Sequence, residues 1–331
     1  MAQTLVEQED LLVVKDLKTH YPIRNGLLGG QTGSIKAVDG VSFTVKKGET
    51  FSIVGESGCG KSTVGMSILR LTEPTSGEVI FNDKNVLEKN KHELKAIRRD
   101  MQVIFQDTYS SLNPKHTIKK ILSEPLVINR KITKEKREER VIELLRLVWL
   151  GLHHLNRFPH EFSGGQRQRI GIARALALNP KLIICDEPVS ALDVSIQSQI
   201  LNLLEDLQQK LKLTYIFISH DLSVVEHISD RVAVMYLGKI VEMGKREEIF
   251  NHPQHPYTKA LLSSVPIADP KLKNKRERII LKGDVPSPKN PPKGCHFHAR
   301  CPFKMEKCEE AYPSYVHVSS EHRVACHLLD S

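Results

Sequence analysis

The feature that most limits the fold of this chain is a glycine-rich loop at residues 55–62. Its sequence, GESGCGKS, satisfies the pattern G-x-x-x-x-G-K-[ST] at every position, and it follows the apolar run FSIV. In such a loop the backbone amides and the start of the next helix bind phosphate, Lys61 contacts the outer phosphates, and the hydroxyl of Ser62 ligates Mg²⁺. The loop predicts an α/β nucleotide-binding domain. The residues expected at the nucleotide are Gly55, Glu56, Ser57, Gly58, Cys59, Gly60, Lys61, Ser62 and Thr63.

Apolar runs and helical periodicity alternate along the chain. A helix is expected from about Lys61, and a helical pattern runs from Pro114 to about His160. This alternation predicts a mainly parallel sheet with helices on both faces. After about Pro266 prolines and charges increase, which indicates a linker into a separate tail. Strands are predicted at residues 11–17, 41–45, 50–54, 79–81, 101–105, 182–185, 215–219 and 231–236.

Two carboxylates directly follow the apolar strand at residues 182–185. The strand places Asp186 to hold Mg²⁺ through water, and Glu187 to polarise an attacking water molecule. Beside a phosphate-binding loop, this acidic pair predicts hydrolysis of the bound nucleotide. Cys185 precedes the pair and is expected to be a buried apolar residue.

Residues 162–169, FSGGQRQR, resemble the signature sequence of ABC ATPases. The resemblance implies an ABC-type P-loop NTPase with a RecA-like core, an antiparallel β subdomain and a helical subdomain at about 113–163. It also implies that two subunits pair head to tail, with each ATP between the phosphate loop of one and the signature of the other. The loop at residues 190–193 would line this seam. The residues expected to face ATP from the second subunit are Ser163, Gly164, Gly165, Gln166 and Asp193.

The same resemblance assigns further roles in the ATP site. Gln106 matches the glutamine that contacts Mg²⁺ and the attacking water, and His220 matches the switch histidine that reaches the γ-phosphate. Tyr21 resembles the aromatic residue that stacks on adenine, with Phe43 as a rival. The implied catalytic residues are Glu187, His220 and Gln106, and the implied Mg²⁺ ligands are Ser62, Gln106 and Asp186.

Three further stretches resemble the ATPase subunits of bacterial dipeptide and oligopeptide importers: residues 105–114, residues 255–262 and the cysteine-rich tail. The implied function is ATP hydrolysis that powers peptide import. Importers of nickel and of some sugars share parts of these stretches, so an importer of nickel or of another small solute is the alternative. A soluble ABC ATPase is disfavoured, because the chain has one cassette and no coiled-coil insertion.

Family resemblance also implies the partners. They are a second ATPase subunit, two transmembrane permease subunits and, indirectly, an extracellular peptide-binding protein. The ATPase pair is expected to be a heterodimer, with a homodimer as the alternative for the isolated chain. No apolar run approaches the roughly 20 residues that cross a bilayer, and the N-terminus lacks a secretory pattern. We therefore expect a peripheral protein at the cytoplasmic face of the membrane.

The formal net charge of +9 raises the question of an anionic partner. The basic residues crowd into one stretch: Lys271, Lys273, Lys275, Arg276, Arg278 and Lys282. No aromatic residue is interleaved with them, which argues against a nucleic-acid interface and favours a solvated linker. A weak attraction to anionic lipid headgroups stays open.

Cys295, Cys301, Cys308 and Cys326 crowd into the tail, separated by 5, 6 and 17 residues. Structural zinc prefers closely paired C-x₂₋₄-C ligands, so this looser spacing favours an iron–sulfur cluster. The resemblance points to a [4Fe–4S] cluster, with Zn²⁺ and with free or disulfide-linked thiols as alternatives. The neighbouring His296, His298 and His327 could substitute as ligands. The expected division is an ATPase domain at residues 1–265 and a linker with a metal-binding extension at residues 266–331.

Overall fold

Strands and helices alternate as the apolar pattern predicts, in a computed structural model that describes residues 9–25, 30–129, 132–265 and 279–330. The strands are β1 Asp10–Asn25, β2 Gly30–Lys46, β3 Thr50–Val54, β4 Ser76–Phe81, β5 Lys84–Asn85, β6 Met101–Ile104, β7 Leu182–Asp186, β8 Thr214–Ser219, β9 Arg231–Tyr236, β10 Lys239–Lys245, β11 Tyr315–His317 and β12 Arg323–Ala325. The helices are α1 Lys61–Ile68, α2 Lys91–Asp100, α3 Thr108–Ser111, α4 Ile118–Ile128, α5 Lys134–Leu147, α6 Gly164–Leu176, α7 Val194–Leu211, α8 Leu222–Ile228, α9 Arg246–Asn251, α10 Pro256–Ser263 and α11 Lys307–Glu310.

The chain divides into two compact units, which we call the loop unit and the signature unit after the motifs that they carry. The loop unit contains Asp10–Val45, Thr50–Leu87 and Ser219–Ser331, and the signature unit contains Lys46–Glu49 and Glu88–Ile218. The expected linker at residues 266–278, with the basic residues 271–278, lies outside the described part of the chain. Lys282, the last member of the basic run, is described and exposed.

The loop unit contains a sheet in the order β2-β1-β4-β5, in which β4 pairs antiparallel with both β1 and β5, and Leu12 on β1 lies opposite Phe81 on β4. This sheet matches the expected antiparallel β subdomain. The strands predicted at 11–17 and 41–45 are confirmed, but β1 and β2 are longer than predicted because they continue through polar residues. A sheet with one solvated face carries polar residues on that face, and these hide the strand from a search for apolar runs.

A second set of strands in the loop unit follows the order β11-β12-β10-β9-β3. Strands β3 and β9 are parallel, with Ile53 opposite Ala233, and every residue of both is buried. Strands β10, β12 and β11 continue antiparallel to one another. The tail strand β12 thus pairs with β10, with Val324 opposite Glu242.

A buried acid helps to join the tail to the rest of the loop unit. Glu242 on β10 is fully buried, and its carboxylate lies 2.8 Å from Nε2 of His322 in the tail. It also accepts hydrogen bonds from the backbone amides of Gln254, at 2.7 Å, and His255, at 3.0 Å. A buried carboxylate is tolerated when its lone pairs are satisfied in this way.

The signature unit contains the parallel strands β8-β7-β6, with Ile183 opposite both Gln102 and Tyr215. The strands predicted at 101–105, 182–185 and 215–219 are confirmed to within a residue or two. The predicted helical stretch is confirmed over α4 and α5, which begin after the N-caps Thr117 and Thr133, but the last α-helix in it ends at Leu147 and not near His160. Within the described residues, no helix combines the length and apolar character needed to cross a membrane.

Candidate functional site

Two glycines give the phosphate loop its shape. Gly55 and Gly60 have φ angles of +154° and +104°, which side-chain-bearing residues rarely adopt. A Cβ on Gly55 would overlap the carbonyl oxygen of Met235, and a Cβ on Gly60 would overlap that of Ala37. The loop therefore follows the backbone of its neighbours so closely that only glycine fits at these positions.

Lys61, the first residue of α1, is turned into the loop. Its side chain is nearly buried, at 4% exposure, and its Nζ donates to the carbonyl oxygens of Gly55, at 2.8 Å, and Glu56, at 3.1 Å. Ser57 and Gly58 are exposed at the tip, and Ser62 is exposed on the first turn of the helix. The ammonium group of Lys61 thus lies inside the glycine-rich loop, as the motif predicted.

The thiol of Cys59 points away from solvent, although the residue lies in the loop. It is 3% exposed, and burial raises its pKa, against the opposing effect of Lys61. A thiol with a raised pKa carries little thiolate at neutral pH. The structure therefore favours an inert, space-filling cysteine. Cys185 is fully buried, and burial raises its pKa as well.

Two residues that the sequence did not single out hold Glu56 in the loop. The hydroxyl of Tyr257, from α10, accepts a 2.9 Å hydrogen bond from the amide of Glu56. The guanidinium of Arg300, from the tail, donates to both carboxylate oxygens of Glu56, at 2.8 and 3.2 Å. The positions of Tyr257 and Arg300 inside the stretches 255–262 and 295–301 were the only sequence signal that could have found them.

Tyr21 and Phe43 differ in their access to a base. Phe43 is buried and stacks on Phe51, with ring centroids 4.7 Å apart, so it is part of the core. Tyr21 lies on β1 and is 40% exposed. Only Tyr21 of the two rivals presents a ring to solvent. His220, directly after β8, is also exposed.

In the signature unit, the acidic pair lies at the end of β7, one residue closer to the strand than predicted. Asp186 ends the strand and is 6% exposed, whereas Glu187 is half-buried. Glu187 has a φ of +47°, which is unusual for a residue with a side chain, and its amide donates to the carbonyl of Ile218 at 2.9 Å. Backbone strain of this kind costs about 1–3 kcal/mol, and it persists where the surrounding structure fixes the residue.

Gln106 contacts the acidic pair directly. Its Nε2 donates to Oε2 of Glu187 at 2.8 Å, across 81 residues of sequence. The sequence suggested a shared role for these residues, and the structure brings them together. The contact orients the carboxylate of Glu187, and it leaves the amide oxygen of Gln106 as the atom suited to Mg²⁺.

The signature forms the N-terminus of α6. Ser163 is the N-cap: its hydroxyl accepts from the amide of Gln166 at 3.3 Å, and the side chain of Gln166 accepts from the amide of Ser163 at 3.1 Å. A Cβ on Gly165 would overlap the side chain of Ile196 on α7. The glycine thus allows the helix start to pack closely, with Ser163 exposed at the positive end of the helix dipole.

The loop after the acidic pair is held from α7. Nε2 of Gln197 donates to the carbonyls of Val189, at 3.1 Å, and Leu192, at 3.0 Å. Asp193 is the N-cap residue of α7, and it is exposed together with the large apolar side chain of Val194, which is 78% exposed. This segment therefore presents a mixed apolar and acidic surface to solvent.

The four tail cysteines are all free of disulfide bonds. The amide of Cys295 donates to the carbonyl of Cys308 at 2.8 Å, which brings these two parts of the tail together. Three thiols also accept hydrogen bonds from the amide two residues later: Cys295 from Phe297, Cys301 from Phe303 and Cys326 from Leu328. Burial nevertheless raises the pKa of Cys295 to about 11.

The structure gives no support to the metal-binding extension as a formed metal site. Across the described residues, which include all four tail cysteines, no group of three or more His, Cys, Asp or Glu side chains is placed to hold a metal ion. The neighbouring histidines contact other groups through their ring nitrogens, and Nδ1 of His298 contacts the backbone carbonyl of Cys295 at 2.9 Å. His327 contacts Asp330 through Nδ1 and the carbonyl of Ala311 through Nε2, and Nδ1 of His296 contacts the carbonyl of Leu237.

Comparison with known proteins agrees with this geometry. The family model described as ABC transporter matches residues 38–190, and the one described as oligopeptide/dipeptide transporter, C-terminal region, matches residues 241–308. The dimeric ATP-binding cassette MJ0796 in a post-hydrolysis state, bound to ADP and Pi, is 32% identical, with a TM-score of 0.63 over 71% of this chain and 98% of that one. The structure of cbiO1 from Clostridium perfringens, part of the ABC transporter complex cbiONQ, is 29% identical, with a TM-score of 0.63 over 74% and 92%.

Relatives of similar length narrow the class. The oligopeptide transport ATP-binding protein AppF of Bacillus subtilis is 55% identical over 98% of this chain and 99% of its own length. The dipeptide transport ATP-binding protein DppF of Escherichia coli is 49% identical over 98% and 96%. The chain therefore belongs to the ATP-binding proteins of oligopeptide and dipeptide ABC transporters, which are ATPases.

Proposed function

We propose that the chain is the motor subunit of a peptide importer, in which ATP binding and hydrolysis drive the passage of dipeptides or oligopeptides. The main support is the presence of both halves of a hydrolytic site on one chain. The loop unit carries the phosphate loop, and the signature unit carries Glu187, Gln106 and the exposed N-terminus of α6. In the head-to-tail pair that we propose, the phosphate loop and the acidic pair of one subunit form one half of each site. The exposed start of α6 from the other subunit forms the second half, so that each ATP lies between a loop and a signature.

In the loop unit, we assign phosphate binding to the backbone of the loop and to Lys61. Tyr21 stacks on adenine, and His220 contacts the γ-phosphate. The aliphatic stem of Lys61 is already buried and its ammonium is confined to the loop, so little side-chain entropy is lost when it contacts phosphate. Mg²⁺ neutralises the charge of the phosphates when it is bound, and the hydroxyl of Ser62 is one of its proposed ligands.

In the signature unit, Glu187 is the proposed general base for the attacking water. The 2.8 Å hydrogen bond from Gln106 orients its carboxylate, while the amide oxygen of Gln106 and the carboxylate of Asp186 hold Mg²⁺. Ser163, Gly164, Gly165 and Gln166 offer hydrogen-bond donors to the γ-phosphate of ATP on the partner's loop, and Asp193 lines the seam. The dipole of α6 adds to the attraction for phosphate.

The assembly that we propose is a heterodimer of related ATPase subunits, placed at the cytoplasmic face of the membrane. It acts on two transmembrane permease subunits, which receive peptide from an extracellular binding protein. Residues 113–163, which include α4 and α5, form the helical subdomain that faces the permeases. The proposed division is an ATPase domain to residue 265 and a tail from residue 266.

Uptake measurements test this function. Cells that lack the chain should fail to accumulate a labelled dipeptide or oligopeptide, and the wild-type chain should restore uptake. The Glu187→Gln variant should not restore it. Nickel uptake measured in the same cells distinguishes the alternative: loss of nickel uptake with normal peptide uptake would contradict the peptide assignment.

We further propose that the four tail cysteines bind a [4Fe–4S] cluster, for which Zn²⁺ is the alternative. Four cysteines lie in one short tail without disulfide bonds, and three of their thiols accept amide hydrogen bonds, so the tail supplies the type of donor that a cluster uses. Each thiolate of a cluster site binds a different iron, so the ligands need not surround one ion. The short tail contributes few buried apolar side chains, and a bound cluster would stabilise it.

A visible spectrum tests this assignment. Protein purified without oxygen is expected to be brown, with broad absorption that disappears in a Cys308→Ser variant. A Cys185→Ser variant is the matched control, because Cys185 is buried in β7 and should not alter the colour. Colourless protein that holds one zinc ion per chain would overturn the cluster in favour of Zn²⁺.

A further inference from the structure

Glu56 is held through its amide, its carbonyl and its side chain. Its amide donates to Tyr257, and its carboxylate accepts two hydrogen bonds from Arg300. Its carbonyl accepts from the ammonium of Lys61 at 3.1 Å. Any displacement of Glu56 therefore moves an oxygen that holds the phosphate-binding lysine.

Arg300 reaches the loop from 244 residues further along the chain. Its side chain is only 9% exposed, compared with 27% for Glu56. The two parallel hydrogen bonds use the planar fork of the guanidinium, an arrangement that fixes both distance and orientation. The pair is thus a directional contact that is largely shielded from water on the side of Arg300. An exposed ion pair, by contrast, contributes little to stability.

The backbone around Arg300 is anchored by aromatic packing. Phe297, three residues earlier, is 1% exposed, and its ring centroid lies 5.3 Å from that of Tyr236 and 5.4 Å from that of Tyr257. Tyr257 is the same residue that bonds the amide of Glu56. The tail segment and α10 therefore both fix the position of Glu56, and they are joined to each other by the packing of Phe297 on Tyr257.

We propose that Arg300 is a positioning residue for the phosphate loop, and that the tail segment 295–301 thereby sets the affinity for nucleotide. The inference rests on the proposed function, in which this loop binds ATP. Two physical effects act in the same direction. First, Arg300 fixes Glu56 and therefore also its carbonyl oxygen, which accepts the hydrogen bond from Lys61. Second, it neutralises the carboxylate of Glu56, which would otherwise repel the phosphates.

Equilibrium binding of a fluorescent ATP analogue to the purified full chain tests the proposal. Arg300→Gln is expected to raise the Kd about fivefold, because a hydrogen-bonded charge is lost and the carboxylate of Glu56 is exposed to the phosphates. Glu56→Gln combined with Arg300→Gln removes that carboxylate, so the double variant should recover part of the lost affinity. Arg300→Lys retains the charge and should lie between the wild type and Arg300→Gln.

Arg323→Gln provides the matched control. Arg323 is another tail arginine; it donates to the carbonyl of Ser42 and lies over the ring of Tyr315, 4.7 Å from the centroid. Its loss should lower the melting temperature without changing the Kd. If Arg300→Gln and Arg300→Lys likewise lower the melting temperature but bind nucleotide as the wild type does, Arg300 has only a structural role and the inference is wrong. Failure of the wild type to bind nucleotide would instead contradict the proposed function itself.

Discussion

Replacement of Glu187 by glutamine is expected to slow ATP hydrolysis by about 10²–10⁴-fold while the affinity for ATP stays within about twofold of wild type. Glutamine has the same shape, and its amide oxygen can still accept the 2.8 Å hydrogen bond from Gln106. It cannot accept a proton from the attacking water. The variant therefore separates nucleotide binding from hydrolysis. Phosphate release measures the rate of hydrolysis, and equilibrium titration measures the affinity for ATP.

Glu139→Gln is the control for this experiment. Glu139 is an exposed glutamate of α5 in the same unit, so the same change of charge is made away from the acidic pair. Its turnover should equal that of the wild type. Unchanged turnover in Glu187→Gln would remove Glu187 from its assigned role and leave the acidic pair without a general base.

Replacement of Lys61 by alanine should weaken ATP binding by roughly 30–100-fold, which corresponds to the loss of charge-assisted hydrogen bonds of about 2–3 kcal/mol. The effect should be large because the ammonium is confined among the carbonyl oxygens of the loop, where it lies close to the expected phosphates. Calorimetric titration of the variant with Mg²⁺ and ATP gives the Kd directly.

Lys15→Ala makes the same substitution at a distance from the loop. Lys15 lies on β1 and forms an exposed ion pair with Glu78, at 3.4 Å. Exposed pairs of this kind contribute little, so the variant should bind ATP as the wild type does. Equal affinities in the Lys61 and Lys15 variants would show that the loop does not carry the nucleotide.

The parts of the site that the sequence predicted are those encoded within a few consecutive residues. The phosphate loop, the acidic pair and the signature each combine a strand or helix boundary with the chemistry placed there. Gln106 was assigned by resemblance, but its hydrogen bond to Glu187 joins residues 81 positions apart. The contact of Arg300 with Glu56 spans 244 positions, and no local pattern indicates it.

The tail shows what local patterns miss. Strands β11 and β12 have three residues each, too few for a recognisable alternation, and they form because β10 offers an edge for pairing. The cysteine spacing predicted a metal site, but spacing does not specify how side chains converge. The backbone of Cys295 does pair with that of Cys308, yet among the described residues no metal-holding group is formed.

The choice between Tyr21 and Phe43 also depended on tertiary structure. Both lie in strand-like sequence near the loop in the chain, and only the packing of Phe43 on Phe51 separates a core ring from an accessible one. Burial of this kind depends on residues distant in the chain. The fold therefore places Phe43 in the core, and the stacking of Tyr21 on adenine stays a prediction.

Pairing of two subunits is central to the proposed function, in which the phosphate loop and the exposed start of α6 are each part of one hydrolytic site. The most direct measurement is a dilution series in which ATPase activity per chain and molecular mass are determined on the same samples, for the chain alone and with the second ATPase subunit that we propose. Activity per chain should fall in proportion to the dimer as dilution dissociates it. Undiminished activity in samples that contain only monomer would contradict the account.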